Sequence, residues 1–113
     1  MPVSQELTKG TIVPIVLKLL SERAMYGYEI IREVNERTEN ALEWREGTLY
    51  PWLHRLAGEG LVTSEWVVAD SGRRRKYYLL TPAGAGALES KASEWAVFAA
   101  AVNALLLEPG LVT

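Results

Sequence analysis

The chain has 113 residues, of which 49% are hydrophobic and 23% are charged, and its formal net charge is −2. This length provides one compact unit with a buried core and leaves no room for a second catalytic domain. The chain contains no cysteine and one histidine, which excludes disulfide scaffolds, cysteine nucleophiles and structural zinc sites. We therefore expect no metal and no cofactor. Because no nucleophile lies in a motif with His54, we also expect no enzymatic activity.

The start of the chain does not look like a targeting segment. Charged residues interrupt the apolar positions of the first 25 residues, and the basic start and cleavage site of a signal peptide are missing. The apolar stretch over residues 96–107 is about twelve residues long, which is too short for the roughly 20 residues that span a bilayer. We expect a soluble, cytoplasmic protein without a membrane partner.

The small net charge hides an uneven distribution along the chain. Residues 1–44 carry five basic and seven acidic side chains, residues 45–81 carry six and four, and residues 82–113 carry one and three. The positive excess of the middle third comes from one run, Arg73-Arg74-Arg75-Lys76. A nucleic-acid partner is therefore compatible with the net charge of −2.

Three helices are predicted in the first 60 residues. Apolar residues recur at steps of three and four over residues 11–22 and 27–38, and a third helix is predicted to begin at residue 48 and to end at the glycines 58 and 60. The first and third helices both start with Gly-Thr followed by a proline, so we expect Thr11 and Thr48 to cap them in the same way. The buried stripe of the third helix is expected to consist of Leu49, Leu53 and Leu56.

After Gly60 the period of the pattern changes from 3.6 to 2, which indicates a strand over residues 61–69. Asp70-Ser71-Gly72 has the composition of a turn, and residues 76–80 are predicted to form the returning strand. The hairpin would carry the run Arg73 to Lys76 at its tip. Tyr78 and Leu80 are expected to face the core, and the tryptophans at positions 52 and 66 are interpreted as packing residues.

A long final helix is predicted over residues 82–107, with Thr81 as its N-cap and Pro82 in its first position. Its length of roughly 39 Å exceeds the diameter of a globule of this size, so the helix must project or cross a partner. Apolar residues recur along it for three heptads, as in a dimerisation seam. The expected homodimer interface consists of Leu88, Ala92, Trp95, Ala99, Val102 and Leu106.

Three helices, a hairpin and a long helix are the elements of a winged helix-turn-helix domain followed by a dimerisation helix. The predicted fold is mainly α with a small β-hairpin, with residues 1–81 as the DNA-binding domain and residues 82–113 as the C-terminal dimerisation helix and tail. The outer side of the third helix would enter the major groove of double-stranded DNA, and the basic hairpin would lie on the backbone or in the minor groove. The candidate DNA contacts are Thr48, Tyr50, Pro51, His54, Arg55, Arg73, Arg74, Arg75 and Lys76.

The sequence resembles the PadR-like family of bacterial transcriptional regulators, in its short branch with a single C-terminal helix. The likeness covers roughly residues 7–107 and lies in Tyr26-Gly27-Tyr28-Glu29-Ile30, Glu46-Gly47-Thr48-Leu49-Tyr50-Pro51, Gly72 to Tyr78 and Leu80-Thr81-Pro82-Ala83-Gly84. The resemblance implies a homodimeric DNA-binding protein, usually a repressor, that a small molecule or another signal releases from a pseudo-palindromic operator.

Trp95 is the residue at which the resemblance implies a ligand. Some short members of the family place a tryptophan here, where it meets its dimer mate and stacks on flat aromatic compounds, so a small planar aromatic effector is one prediction and dimer packing alone is the other. Ala92 and Ala99, one turn to either side, supply neither a carboxylate nor a further ring. For the whole protein, the rival prediction is a dimeric winged-helix module that binds other proteins and does not bind DNA.

Overall fold

The computed structural model describes residues 2–107, and the predicted tail beyond residue 107 lies outside these residues. This part of the chain forms helices and three short strands. Their bounds are α1 Gln5–Thr8, a 3-10 turn Lys9–Thr11, α2 Ile12–Glu22, β1 Met25–Tyr26, α3 Gly27–Arg37, α4 Glu46–Gly58, β2 Val62–Val68, β3 Arg74–Leu80 and α5 Pro82–Leu106. The three predicted early helices correspond to α2, α3 and α4. The long predicted helix corresponds to α5.

The core lies between α2, α3 and α4 and is closed on one side by the sheet. Leu17, Ile30 and Met25 are fully buried, together with the predicted stripe of α4, Leu49, Leu53 and Leu56. Burial of each such side chain contributes roughly 1.5–3 kcal/mol relative to exposure. The apolar spacing along the sequence therefore identified the buried faces of these three helices correctly.

The predicted N-cap position of Thr11 is confirmed for α2, but neither Thr11 nor Thr48 makes the predicted side-chain cap. Thr11 makes no side-chain cap, and its hydroxyl donates instead to the carbonyl of Thr8 at 2.8 Å, because a 3-10 turn leads directly into α2. The helix α4 begins two residues before Thr48, with Arg45 in the cap position. Pro51 consequently lies inside α4, where its missing N–H leaves the carbonyl of Gly47 without an intrahelical donor.

The sheet has three antiparallel strands in the order β1-β3-β2, so the predicted hairpin is confirmed and a third, two-residue strand joins it. Val62 lies opposite Leu80, and Val68 lies opposite Arg74. Because side chains alternate along a strand, the sheet has two faces. The inner face carries Val62, Ser64, Trp66, Val68, Arg74, Lys76, Tyr78 and Leu80, and the outer face carries Thr63, Glu65, Val67, Arg75, Tyr77 and Leu79.

The strand β3 begins at Arg74 rather than at residue 76, so three of the four cations belong to a strand and only Arg73 lies in the turn. The predicted basic tip is thus corrected to a basic strand. Tyr78 is buried and Leu80 is partly buried against the core, as predicted.

The start of α5 is fixed by Thr81 and Gly84. The hydroxyl of Thr81 accepts a hydrogen bond from the N–H of Gly84 at 3.0 Å, which confirms the predicted cap. Gly84 packs against the backbone of Leu61 so closely that a Cβ atom would lie 2.0 Å from the Leu61 carbonyl oxygen. From this anchor α5 extends for about 37 Å, and the molecule measures 63 Å by 31 Å by 21 Å. Within residues 2–107, no helix combines the length and apolar character that crossing a bilayer requires.

Candidate nucleic-acid interface

The helix α4 turns one side into the core and the opposite side to solvent. Pro51, His54 and Arg55 are exposed on this outer side, and Gly58 continues it toward the end of the helix. Thr48, in the first turn, is partly buried. The outer side therefore presents small and polar residues along most of the helix, without a bulky apolar group that would prevent close approach to a flat surface or a groove.

Arg55 is held on the surface by two neighbours, Trp52 within α4 and Glu59 at the C-cap of the helix. Its guanidinium carbon lies 5.1 Å from the centre of the Trp52 ring, and its Nε lies 3.5 Å from a carboxylate oxygen of Glu59. Trp52 is partly buried against the core, so its interpretation as a packing residue is confirmed. The packed ring gives Arg55 a fixed support, from which its remaining N–H groups can bind an acceptor.

Tyr50 lies against the start of α3. A Cβ atom on Gly27 would be 2.4 Å from the Tyr50 hydroxyl oxygen, so the absence of a side chain at residue 27 makes room for the ring. Burial raises the pKa of Tyr50 above its ordinary value, and the carboxylate of Glu46 raises it further. The residues Gly27 and Tyr50 were singled out separately in the sequence, and only the fold brings them together.

A side-chain clamp fixes where α4 begins. Asn35 on α3 donates from Nδ2 to the carbonyl of Trp44 at 3.1 Å, and its Oδ1 accepts from the N–H of Trp44 at 2.8 Å. Trp44 itself is buried in the core. Sequence reasoning missed this clamp, since an asparagine on an amphipathic helix nine residues from its partner gives no periodic signal.

The cations of β3 are divided between the two faces of the sheet. Arg74 and Lys76 lie over the inner-face ring of Trp66, with 4.8 Å and 6.0 Å from their charged groups to the ring centre. Arg75 lies on the outer face, 4.6 Å from the centre of the Tyr26 ring. Trp66 is 57% exposed, so its interpretation as a packing residue is wrong. It stands beyond the point where the sheet leaves the core.

Tyr26 also contacts Tyr77, the residue opposite it in the β1–β3 pair. The two rings meet edge to face, with centres 5.4 Å apart and an angle of 72° between their planes. Arg75 therefore joins a packed aromatic pair on the outer face. This surrounding differs from that of Arg73, which is exposed in the turn and donates its backbone N–H to the Ser71 hydroxyl at 3.4 Å.

The residues expected at a dimer interface are exposed to different degrees along α5. Leu88 packs against the core of its own chain, and Ala99 and Val102 are partly buried. Other apolar side chains of α5 are open to solvent: the exposed fraction is 58% for Phe98 and 86% for Leu105. Ala92, Trp95 and Leu106 are also exposed.

An open groove of about 1150 Å³ separates α5 from the N-terminal helices. Trp95 and Phe98 line it on the α5 side, with ring centres 5.7 Å apart. Phe98 supplies the second ring that Ala92 and Ala99 do not provide. Its spacing of three residues from Trp95 was the sequence signal that could have identified it. Pro14, Ile15, Leu19 and Val34 line the opposite side.

Several ionisable groups of the described residues form ion pairs at the surface. Among residues 2–107, His, Asp and Glu side chains form no group of three that could hold a metal ion. The shortest ion pair among these residues links α3 to α2, where the guanidinium of Arg37 lies 2.6 Å from Glu22. Within α3 the same guanidinium lies 2.8 Å from Glu33. Hydrogen bonding to Arg37 lowers the pKa of Glu22.

Comparison with known proteins places these features in a family context. The profile of the transcriptional regulator PadR-like family matches residues 16–90. A transcriptional regulator from Clostridium thermocellum has the same fold, with a TM-score of 0.83 and 31% identity over 92% of this chain and 98% of that one. A PadR family transcriptional regulator from Eggerthella lenta has a TM-score of 0.78 and 35% identity, over 90% of this chain and 87% of the other.

Two further relatives match in sequence. An uncharacterized protein of Lysinibacillus sphaericus is 34% identical over 94 residues, which is 83% of this chain and 86% of the relative. A transcriptional regulator of Mycobacterium tuberculosis is 60% identical over a shorter stretch of 42 residues, 37% of this chain and 38% of its own. The relatives described by function are regulators of transcription and not enzymes.

Proposed function

Since the chain belongs to the PadR-like family of transcriptional regulators, we propose that it acts in the cytoplasm as a homodimeric repressor that binds a pseudo-palindromic operator. The observation that carries this proposal is the outer side of α4, where Pro51, His54 and Arg55 are exposed, together with the exposed cations Arg74 and Lys76 on β3. A helix of this kind fits a major groove about 12 Å wide. The cations attract the phosphate backbone of DNA, and this attraction does not depend on the base sequence.

Each proposed contact on α4 follows from the chemistry of its side chain. Arg55 can pair with the O6 and N7 atoms of guanine or hold a phosphate, and the packed ring of Trp52 limits the freedom that it would lose on binding. His54 and Tyr50 can donate to a base edge or a phosphate. Thr48 and Pro51 face the groove near the start of the helix, where the backbone amides favour an anion.

The dimer would form through α5, because its apolar side chains are left exposed by its own chain. A second α5 laid along this surface would cover Trp95, Phe98 and the leucines near residue 105. In a two-fold dimer the two α4 helices would meet successive major grooves, roughly 34–36 Å apart. Repression would follow from excluding polymerase at the operator.

The effector proposed for this regulator is a small planar aromatic molecule that stacks on Trp95. Support comes from the exposed rings of Trp95 and Phe98 at the edge of the groove beside α5. A ligand held between the two subunits there would change the angle between the two α4 helices and hence the operator affinity. Titration of tryptophan fluorescence with a panel of planar aromatics tests this, with a Trp95→Ala variant as the control; a panel without response favours dimer packing as the role of Trp95.

Selection of bound sequences from a random duplex library tests the DNA-binding proposal. The expected result is an inverted repeat whose half-sites are centred about 10 base pairs apart, or a multiple of that spacing. The logarithm of the association constant should fall linearly with the logarithm of the salt concentration. Absence of an enriched sequence, together with no duplex binding at low salt, would instead support a winged-helix module that binds proteins.

A further inference from the structure

The inner face of the sheet changes character along its length. Val62 and Tyr78, near the base, are buried, and Ser64 is partly buried, whereas Trp66 and Val68 are mostly exposed. The sheet therefore leaves the body of the molecule between Ser64 and Trp66. Beyond this point the two strands continue without support from the core. The aromatic ring of Trp66 is exposed there, although a solvated hairpin needs only polar side chains at such a position.

The exposed ring organises the cations of its face. The charged groups of Arg74 and Lys76 both lie over Trp66, and the Lys76 ammonium also lies 5.7 Å from the centre of the Tyr78 ring. A cation over an aromatic face is held by the ring quadrupole. Two flexible side chains are thus ordered before any partner arrives, which lowers the entropy that they lose on binding.

The inner face lies on the side of the sheet that contacts the helices. Near its base, β2 packs against α4 and β3 packs against α2. A strand keeps the same side chains on the same face along its length, so Trp66, Arg74 and Lys76 project on the side of the sheet where α4 lies. Tyr50 of α4 lies close enough to the inner-face Tyr78 to contribute, after burial, to raising the pKa of Tyr78.

Arg75 lies on the opposite side and has a different partner. It covers Tyr26, which packs against Tyr77, and it is partly buried where Arg74 and Lys76 are exposed. Its aliphatic stem and guanidinium thus close a packed aromatic pair that joins β1 to β3. Three adjacent cations in sequence therefore occupy two separate environments.

We propose that the sheet contacts the sugar-phosphate backbone of double-stranded DNA with its inner face, through Arg74 and Lys76, and that Trp66 is the positioning residue that holds both cations for this contact. Arg75, which the sequence pattern included among the candidate DNA contacts, is excluded from them in this proposal, because it packs over Tyr26 on the outer face. The charge complementarity of two ordered cations and a polyanion supports this choice of partner. The proposal rests on the proposed DNA-binding function and adds which face of the sheet, and which aromatic residue, carries it.

The test compares adjacent residues of the same type. Affinity for a fluorescently labelled duplex of about 30 base pairs is measured at several salt concentrations. We expect Arg74→Ala and Lys76→Ala each to raise the Kd about five- to tenfold and to reduce the slope of log Kd against log salt by about one. Arg75→Gln, which keeps an aliphatic stem over Tyr26, should leave the Kd within about twofold and the slope unchanged.

Trp66 variants separate positioning from charge. We expect Trp66→Leu to raise the Kd several-fold while the salt slope is kept, because both cations remain but are no longer held in place. Trp66→Phe, which restores a π face, should recover most of the affinity. Val67→Ala, on the outer face next to it, is the control and should change nothing. Circular dichroism and thermal melting of each variant show that the fold is retained.

The outcomes distinguish the two proposals. If the wild-type chain binds no duplex at low salt, the proposed function fails. If the wild type binds but Arg75→Gln weakens binding as much as Arg74→Ala, or if Trp66→Leu has no effect, the assignment to the inner face is wrong and the proposed function stands.

Discussion

The body of the molecule up to residue 81 and the helix α5 distribute their apolar side chains in opposite ways. In the body, the large aliphatic residues of α2, α3 and α4 are buried against one another. In α5, Gly84 is the one residue buried among those that the structure describes, while valine, phenylalanine and leucine side chains face solvent. The body provides its own core, whereas α5 has an apolar surface that its own chain does not cover.

Periodicity along a helix therefore indicates that one face is buried, but it does not identify what covers that face. The stripe of α4 and the seam of α5 have the same kind of spacing, yet the first meets α2 and α3, whereas the second, beyond Leu88, is exposed or only partly buried. An exposed apolar surface of this kind marks an interaction site. The predictions below test whether a second copy covers it.

The largest effect is expected from a charge placed in the seam of α5. Val102→Asp should raise the dissociation constant of the dimer about a hundredfold or more, because an unpaired charge buried in an apolar interface costs about 3–5 kcal/mol. Sedimentation velocity measures the change. Leu88→Glu is less suitable, since Leu88 packs against the core of its own chain and its loss would disturb the body as well.

Asn103→Asp is the matched control for this experiment. It adds the same charge one residue later, at an exposed polar position of α5. It should remain a dimer. If Val102→Asp is as dimeric as Asn103→Asp, the apolar surface of α5 is covered by something other than the expected seam.

A smaller effect is expected at the junction between the body and α5. Gly84→Ala places a Cβ atom against the carbonyl oxygen of Leu61, a backbone atom that cannot move without shifting the strand, so overpacking should cost about 1–3 kcal/mol. Gly86→Ala, two residues later, has no atom within 4 Å of the added Cβ. It should stabilise the helix by about 0.5–1 kcal/mol. Chemical denaturation checks both values; equal effects would show that Gly84 is not the anchor of α5.

The smallest effect concerns the body alone and appears at alkaline pH. Burial raises the pKa values of Tyr50 and Tyr78 above 10, so the fold favours their neutral forms. Their contribution to stability is complete below pH 10 and is lost as pH rises from 10 through the raised values. We expect the free energy of unfolding to fall with pH in this range and Tyr78→Phe to reduce the slope.

Much of the fold could be predicted from the sequence because its signals are local. The spacing of apolar residues identified α2, α3, α4 and α5, and the change of period at Gly60 identified the hairpin. The N-cap at Thr81 was correct because the Thr-Pro pair acts within a single turn. Thr11 is the N-cap residue of α2, but its hydroxyl bonds to the preceding 3-10 turn and does not cap the helix, and Thr48 is no cap because α4 begins two residues before it.

The candidate site was predicted less completely, because its geometry depends on residues that are distant in sequence. The sequence shows that the four residues of the run are basic. Which cations face Trp66 and which face Tyr26 depends on β3 beginning at Arg74, because side chains alternate between the two faces of a strand. A strand that starts two residues earlier converts a charged tip into two charged faces. The clamp between Asn35 and Trp44 likewise joins α3 to the segment before α4 and leaves no periodic pattern in either one.

Local patterns in the sequence specify the elements of this protein, the apolar face of each helix and the family likeness, because such patterns act within a few residues. Other features depend on the folded chain: Gly27 makes room for Tyr50, Trp66 is exposed beneath two cations, and α5 extends with its apolar surface uncovered. Such pairings depend on the register of strands and the docking of helices, which depend on packing over the whole chain and not on local spacing.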